Sequence, residues 1–230
     1  MTLSDLKDTL RAAAMSAGAC AAGFARCEPV DAAVCRSYES WIGEGCHGSM
    51  AYLERYPDVR RDPALLLPGA RTVMVCAFPY YDSDECAGLK LARYARGDDY
   101  HEVLRSRLQS VAEILDTEGY GHRICVDTAP LFERYWARQA GVGFTGRNRL
   151  LIVPGWGSYV FWLRYLLMWK SRPTSRWSGS ATDAAVVLRP VPEALCVLPR
   201  VSTRAAASRI LPLSIAEISL PRLAAVRLVL

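Results

Sequence analysis

At 230 residues the chain can bury a core in one domain, or in one domain with a small second unit, which excludes a peptide-like role. Apolar residues at 51% and charged residues at 22% are those of an ordinary globular protein, and a net charge of +5 permits a phosphate-bearing or tRNA ligand without requiring one. Leu3, Leu6 and Leu10 share one face of a charged N-terminal helix, which argues against a signal or transit peptide and sets a cytoplasmic expectation.

None of the cysteines is spaced as CxxC, so reduced, buried thiols are expected rather than disulfides, and no metal site is expected. Residues 3 to 15 read as an amphipathic helix, 18 to 30 as a small-residue strand and loop, and 32 to 42 as a helix. His47 then falls between glycines that allow close backbone approach to a ligand, although a loop or capping histidine explains it as simply. After the Pro68-Gly69 turn, Arg71 to Ala77 is a continuous apolar run, the pattern of a buried strand.

Residues 91 to 101 concentrate Arg, Tyr, Asp and His ahead of a helix whose apolar face is Leu104, Leu108, Val111 and Leu115. Tyr94, Tyr100 and His101 either wall a planar or polar ligand or line the solvated entry loop of a capped helix.

The stretch from Cys125 to Leu151 places a carboxylate, a helix start and a glycine-rich turn together. Arg123 to Val126 is a short strand, and Pro130 suits the first turn of a helix. Asp127 therefore falls at a strand-to-helix junction, where it serves either as an N-cap or as a carboxylate available for chemistry. Phe132, Trp136 and Ala140 share one helical face, which Gly141 can end in a left-handed conformation. Gly141, Gly143 and Gly146 match GxGxxG, but the motif follows a helix and leads into a strand, the reverse of the dinucleotide-binding context. The alternation of strands and helices through Val153 predicts an α/β core, with α+β as the alternative.

Several segments in order, WIGEGCHGSMAYLER, RRDPALLLPGAR, ARYARGDDYH, VDTAPLFERYWARQAGVGFTGRN and WGSYVF, resemble the cobalamin-dependent epoxyqueuosine reductases, iron-sulfur enzymes that complete queuosine in tRNA. The resemblance runs from the N-terminus to about Phe161. It implies a cobalamin-binding domain at 1–161, with a central sheet flanked by helices, that reduces an epoxide on the wobble base of the tRNA anticodon loop. It implies Asp127 as proton donor, and Arg60, Tyr94, Tyr100, His101, Gly146 and Asn148 as ligand-lining, cofactor-binding residues. It also implies an external electron donor, no membrane contact and a monomer. Opening an epoxide leaves an alkoxide that needs a proton, and a carboxylic acid held partly out of water can supply one. A non-catalytic cobalamin- or tRNA-binding fragment, or a corrinoid reductase of halogenated organics, is the alternative. Membrane attachment through Ser158 to Trp169 is disfavoured, because that stretch is short and contains Arg164.

The family continues into a ferredoxin-like module with the [4Fe-4S] spacing C-x2-C-x2-C-x3-C-P. This chain does not show it: 162–230 is expected to be an aberrant, poorly folded tail without the ferredoxin-like domain, and the chain as encoded is expected to be inactive in epoxide reduction because the [4Fe-4S] module is missing. From Ser180 to Leu230 there is no aromatic residue, glycine or lysine. The genetic code offers a check, since codons shifted by one base take two of their three bases from the next residue here. The pairs Ser180/Ala181, Asp183/Ala184, Val186/Val187 and Pro190/Val191 each then allow Cys, and Val191/Pro192 allows Pro, which restores the cluster motif. The same frame allows L-A-E-I-L-T-D from Phe161/Trp162. A frameshift just after Phe161 accounts for both.

Overall fold

The computed structural model describes residues 3–81, 92–127 and 129–177. These fall into a larger unit, 3–32 with 55–177, and a smaller one, 33–54. In chain order the elements are α1 (Leu3–Ser16), β1 (Ala21–Arg26), α2 (Ala32–Gly43), α3 (Pro57–Arg61), β2 (Thr72–Pro79), α4 (Tyr100–Arg107) and α5 (Gln109–Thr117). They continue with β3 (His122–Val126), α6 (Glu133–Gln139), the short strands β4 (Phe144–Thr145) and β5 (Leu151–Ile152), and β6 (Val160–Leu167).

The apolar run of β2 makes it a central strand: it is buried along its length except at its last residue, Pro79. It pairs with β1 on one side and β6 on the other, and β3 closes the order β1-β2-β6-β3. Every pairing is antiparallel, so of the two expected classes the sheet takes the α+β form. Because side chains alternate along a strand, each face has its own core. Met74, Cys76 and Phe78 of β2 join Leu163, Tyr165 and Leu167 of β6 on one face, under Leu6 and Leu10 of α1 and Leu104, Val111 and Leu115 of α4 and α5. The other face of β1 and β2 carries α6. Gly23 of β1 permits that approach, since a Cβ there would lie 2.0 Å from the Ala140 carbonyl oxygen.

The single helix expected over Leu104 to Leu115 is two helices that meet at Leu108. Its carbonyl accepts the buried Tyr165 hydroxyl at 2.6 Å, which fixes the joint while the expected face stays in the core.

The boundary expected at residue 161 falls inside β6. Leu163, Tyr165, Leu166, Leu167 and Trp169 are all buried, because the apolar run after Phe161 meets the need of a central strand. Arg164 breaks that pattern at the middle of the strand, between Val75 and Cys125. The segment considered for membrane attachment thus includes β6, and no helix among the described residues is long and apolar enough to cross a membrane. Residues 178–230 of the expected tail lie outside the described residues.

In the smaller unit His47 is buried, and its Nε2 lies 2.5 Å from Glu54 Oε1. Tyr38 donates its hydroxyl to the Leu53 carbonyl, tying α2 to the turn that follows.

Candidate functional site

Asp127 is the first residue beyond β3, in a left-handed backbone conformation with φ of 43°. It caps no helix: α6 begins at Glu133 with Phe132 at its N-cap, and this removes the structural alternative for Asp127. Its partners come from the start of α4. Asp99 caps that helix, its carboxylate accepting the His101 N–H at 2.9 Å. The capped turn sets Tyr100 and His101 side by side facing β3. Tyr100 donates its hydroxyl to Asp127 Oδ2 at 2.7 Å, and His101 Nε2 lies 3.6 Å from the same oxygen. The other ring nitrogen of His101 is 2.7 Å from Asp99 Oδ1, so the imidazole bridges two carboxylates.

The environments of these carboxylates differ. The Asp127 side chain is 14% exposed and that of Asp99 64%. Burial, and then the Asp127 carboxylate, push the Tyr100 phenol well above its usual range, so it remains a donor. The His101 backbone N–H and ring hold Asp99 below the usual carboxylate range. The arrangement holds the Asp127 side chain in a fixed rotamer and connects it to the more exposed Asp99 through an imidazole.

Tyr100 also stacks on Phe161 at 4.3 Å and 6°, and on His101 at 4.0 Å. Phe161 leads to Tyr80 at 4.5 Å, and Tyr80 to Tyr159 at 5.7 Å. Burial, then Tyr159 and Tyr94, raise the Tyr80 phenol. Of the residues expected to line a ligand, Tyr100 and His101 are brought together, and Tyr94 lies in the 3-10 turn Arg93–Ala95. Arg60 lies on α3. Gly146 and Asn148 shape the β4–β5 turn: Asn148 accepts the Leu150 N–H at 3.1 Å, and a Cβ on Gly146 would lie 2.6 Å from Ile152 Cδ1. Asp99, Tyr80, Tyr159 and Phe161 were not foreseen. The only sequence signal was aromatic residues at the ends of two strands, and it became legible once β2 and β6 were paired.

A family model described as "Epoxyqueuosine reductase QueG, DUF1730" matches residues 60–128, which end at Asp127 and its neighbour. The epoxyqueuosine reductase of Cyclobacterium marinum is 42% identical over 129 residues, covering 54% of this chain and 42% of the relative. That of Synechococcus sp. (strain RCC307) is 36% identical over 180 residues, covering 75% of this chain and 55% of the relative. A crystal structure of epoxyqueuosine reductase with an epoxyqueuosine-modified tRNA-Tyr stem loop is similar with a TM-score of 0.69 and 25% identity, over 82% of this chain and 52% of that one. Over residues 60–128 the chain matches the epoxyqueuosine reductase family. It spans about half the length of the curated relatives it matches. A selenomethionine-labelled epoxyqueuosine reductase agrees, at 26% identity and a TM-score of 0.66 over 77% of this chain and 49% of that one.

Among the described residues no group of His, Cys, Asp and Glu is placed to hold a metal ion. A corrin, as a broad ring with amide arms, would call for open backbone and hydrogen-bonding groups rather than a metal cage. A Cβ on Gly155 or Gly157 would meet nothing within 4 Å, and the β4–β5 turn exposes Arg147 and Asn148.

Proposed function

We propose that this chain carries the cobalamin- and tRNA-handling part of an epoxyqueuosine reductase, with Asp127 as its proton donor. The observation that carries this reading is the Asp127 carboxylate at the end of β3, largely withdrawn from water and hydrogen-bonded by Tyr100. Bound cobalamin supplies the reducing electrons. Removing the epoxide oxygen takes two electrons and two protons and releases water. Asp127 gives the first proton to the oxygen as the ring opens, and Tyr100 fixes the carboxylate that does so. His101, tethered by Asp99, relays from the solvent side the second proton, with which the oxygen leaves as water. Arg60, Gly146 and Asn148 hold the cofactor, while Tyr94, Tyr100 and His101 face the base. The related crystal structure that contains a tRNA stem loop supports the assignment of the partner. The protein works in the cytoplasm as a monomer. An absorbance titration with cobalamin and an anisotropy titration with an anticodon stem loop test this reading. Binding of both supports it, and failure to bind either one overturns it.

We further infer that the reading frame changes after Phe161, so that the electron-delivery module is replaced by the tail and the chain as encoded needs an external reductant. The shifted frame itself supports this, since it restores the cluster spacing C-x2-C-x2-C-x3-C-P from Ser180 onward. Resequencing the locus tests it, and an unbroken frame with a matching intact mass would overturn it. The chain as encoded should show no [4Fe-4S] absorbance, whereas several iron atoms per chain would contradict the proposal.

A further inference from the structure

The aromatic network continues outward from the partners of Asp127. Beyond Tyr80 and Tyr159 it reaches Tyr81, whose ring lies 5.5 Å from that of Tyr159 and nearly perpendicular to it. Exposure rises along this path, with Tyr159 at 45% and Tyr81 at 61%. The Arg93 guanidinium sits over the Tyr81 ring at 4.8 Å, and its Nη1 is shielded from water without a hydrogen-bond partner among the described residues.

Two features of this patch define its ligand. Exposed rings braced edge to face have already lost much of their rotamer freedom, so stacking a planar group on them costs little ordering. A shielded guanidinium donor without a partner calls for an acceptor, ideally an anionic oxygen. An apolar protein surface laid here would leave Nη1 buried and unpaired. Single-stranded nucleic acid supplies both parts, a base for the rings and a phosphate oxygen for the guanidinium.

We propose that Tyr81, Tyr159 and Arg93 hold a base and phosphate of single-stranded RNA next to the nucleotide whose base reaches Asp127. This rests on the reading of Asp127 as acting on a nucleoside in tRNA. It adds the residues that grip the neighbouring nucleotide.

The test uses the full chain and a fluorescently labelled, unmodified anticodon stem loop, with anisotropy as the readout. Tyr81→Ala and Tyr159→Ala are each expected to weaken binding about 5- to 100-fold, the range for loss of one base–aromatic stack, while Tyr81→Phe binds like the wild type. Arg93→Ala is expected to weaken binding and to lower the slope of log affinity against log salt by about one. Cobalamin binding, followed by absorbance, should be unchanged in all four. If the wild type binds the stem loop and the folded alanine variants bind it equally well, this platform is overturned while the reading of the site stands. Alanine variants that keep RNA but lose cobalamin overturn it too, because the rings would then face the corrin. A wild-type chain that binds no stem loop overturns the tRNA reading itself, and the platform with it.

Discussion

Tyr100 and Asp127 are 27 residues apart in sequence, yet the phenol of one donates to the carboxylate of the other at 2.7 Å. The contact joins the first turn of α4 to the end of β3 and fixes the one carboxylate in this cluster that is both withdrawn from water and reachable. Removing the hydroxyl in Tyr100→Phe keeps the ring stack on Phe161 and frees the carboxylate to rotate. A hydrogen bond to a charged group contributes ~1.5–3 kcal/mol, so single-turnover epoxide reduction with chemically reduced cobalamin should slow by about 10- to 100-fold. Stem-loop affinity should not change. A variant with weakened affinity and an unchanged rate would make Tyr100 a wall of the site only.

Asp99 acts at one remove. Asn caps helices about as well as Asp, so Asp99→Asn should keep the melting temperature while loosening the anchor of His101 and slowing turnover by about tenfold. Asp99→Ala loses the cap as well and should cost about 1 kcal/mol of stability. Equal rates for Asp99→Asn and wild type across the pH range would remove Asp99 from the proton path.

The buried pair of Arg164 and Glu133 makes a stability prediction that is independent of catalysis. Arg164 is fully buried, pairs with Glu133, donates to the Cys125 carbonyl at 3.4 Å, and leaves its Nε without a hydrogen bond. Glu133→Ala strands the cation and should cost ~3–5 kcal/mol, and Arg164→Leu strands the shielded Glu133 Oε1 and should also destabilise, whereas the double replacement Arg164→Leu with Glu133→Leu should be near neutral. Urea unfolding reads all three. A double replacement that costs as much as Glu133→Ala would mean that the strand is built around this pair.

Burial pushes the Cys76 thiol up to about 12, from 9.0. The folded state then binds more protons than the unfolded state between those values, so the stability is present below the unfolded value and lost as pH rises towards the folded one. The unfolding free energy should fall between pH 9 and 12 with a contribution from Cys76 of up to ~1.4 kcal/mol per pH unit. Cys76→Ala should flatten that slope, and a slope unchanged by the substitution would show that Cys76 does not titrate this way.

Local pattern made much of this fold legible. The apolar run of β2 and the leucine face of α1 followed directly from spacing, and Gly141 ends α6 with φ of 71°, as a glycine after that helix should. The antiparallel order of the sheet was not legible, because it depends on β6 inserting between β2 and β3 from the far end of the described chain. The same long-range pairing hid Tyr80, Tyr159 and Phe161, which are unremarkable aromatics until the two strands lie side by side. Asp127 was readable as a junction residue, but its freedom from helix capping required seeing α6 start at Glu133. The GxGxxG match misled by composition: Gly143 and Gly146 are small because Ile152 crowds both of them.

The central claim is that Asp127 supplies the proton for reduction of an epoxide on tRNA. The most direct measurement is anaerobic incubation of the full chain with cobalamin, titanium(III) citrate and an epoxyqueuosine-bearing stem loop, followed by mass spectrometry of the nucleoside. The account expects conversion to queuosine by the wild type and a rate about 100- to 10,000-fold lower for Asp127→Asn, with cobalamin and stem loop still bound. Conversion by Asp127→Asn at the wild-type rate, or no conversion by a wild-type chain that holds both ligands, would contradict it.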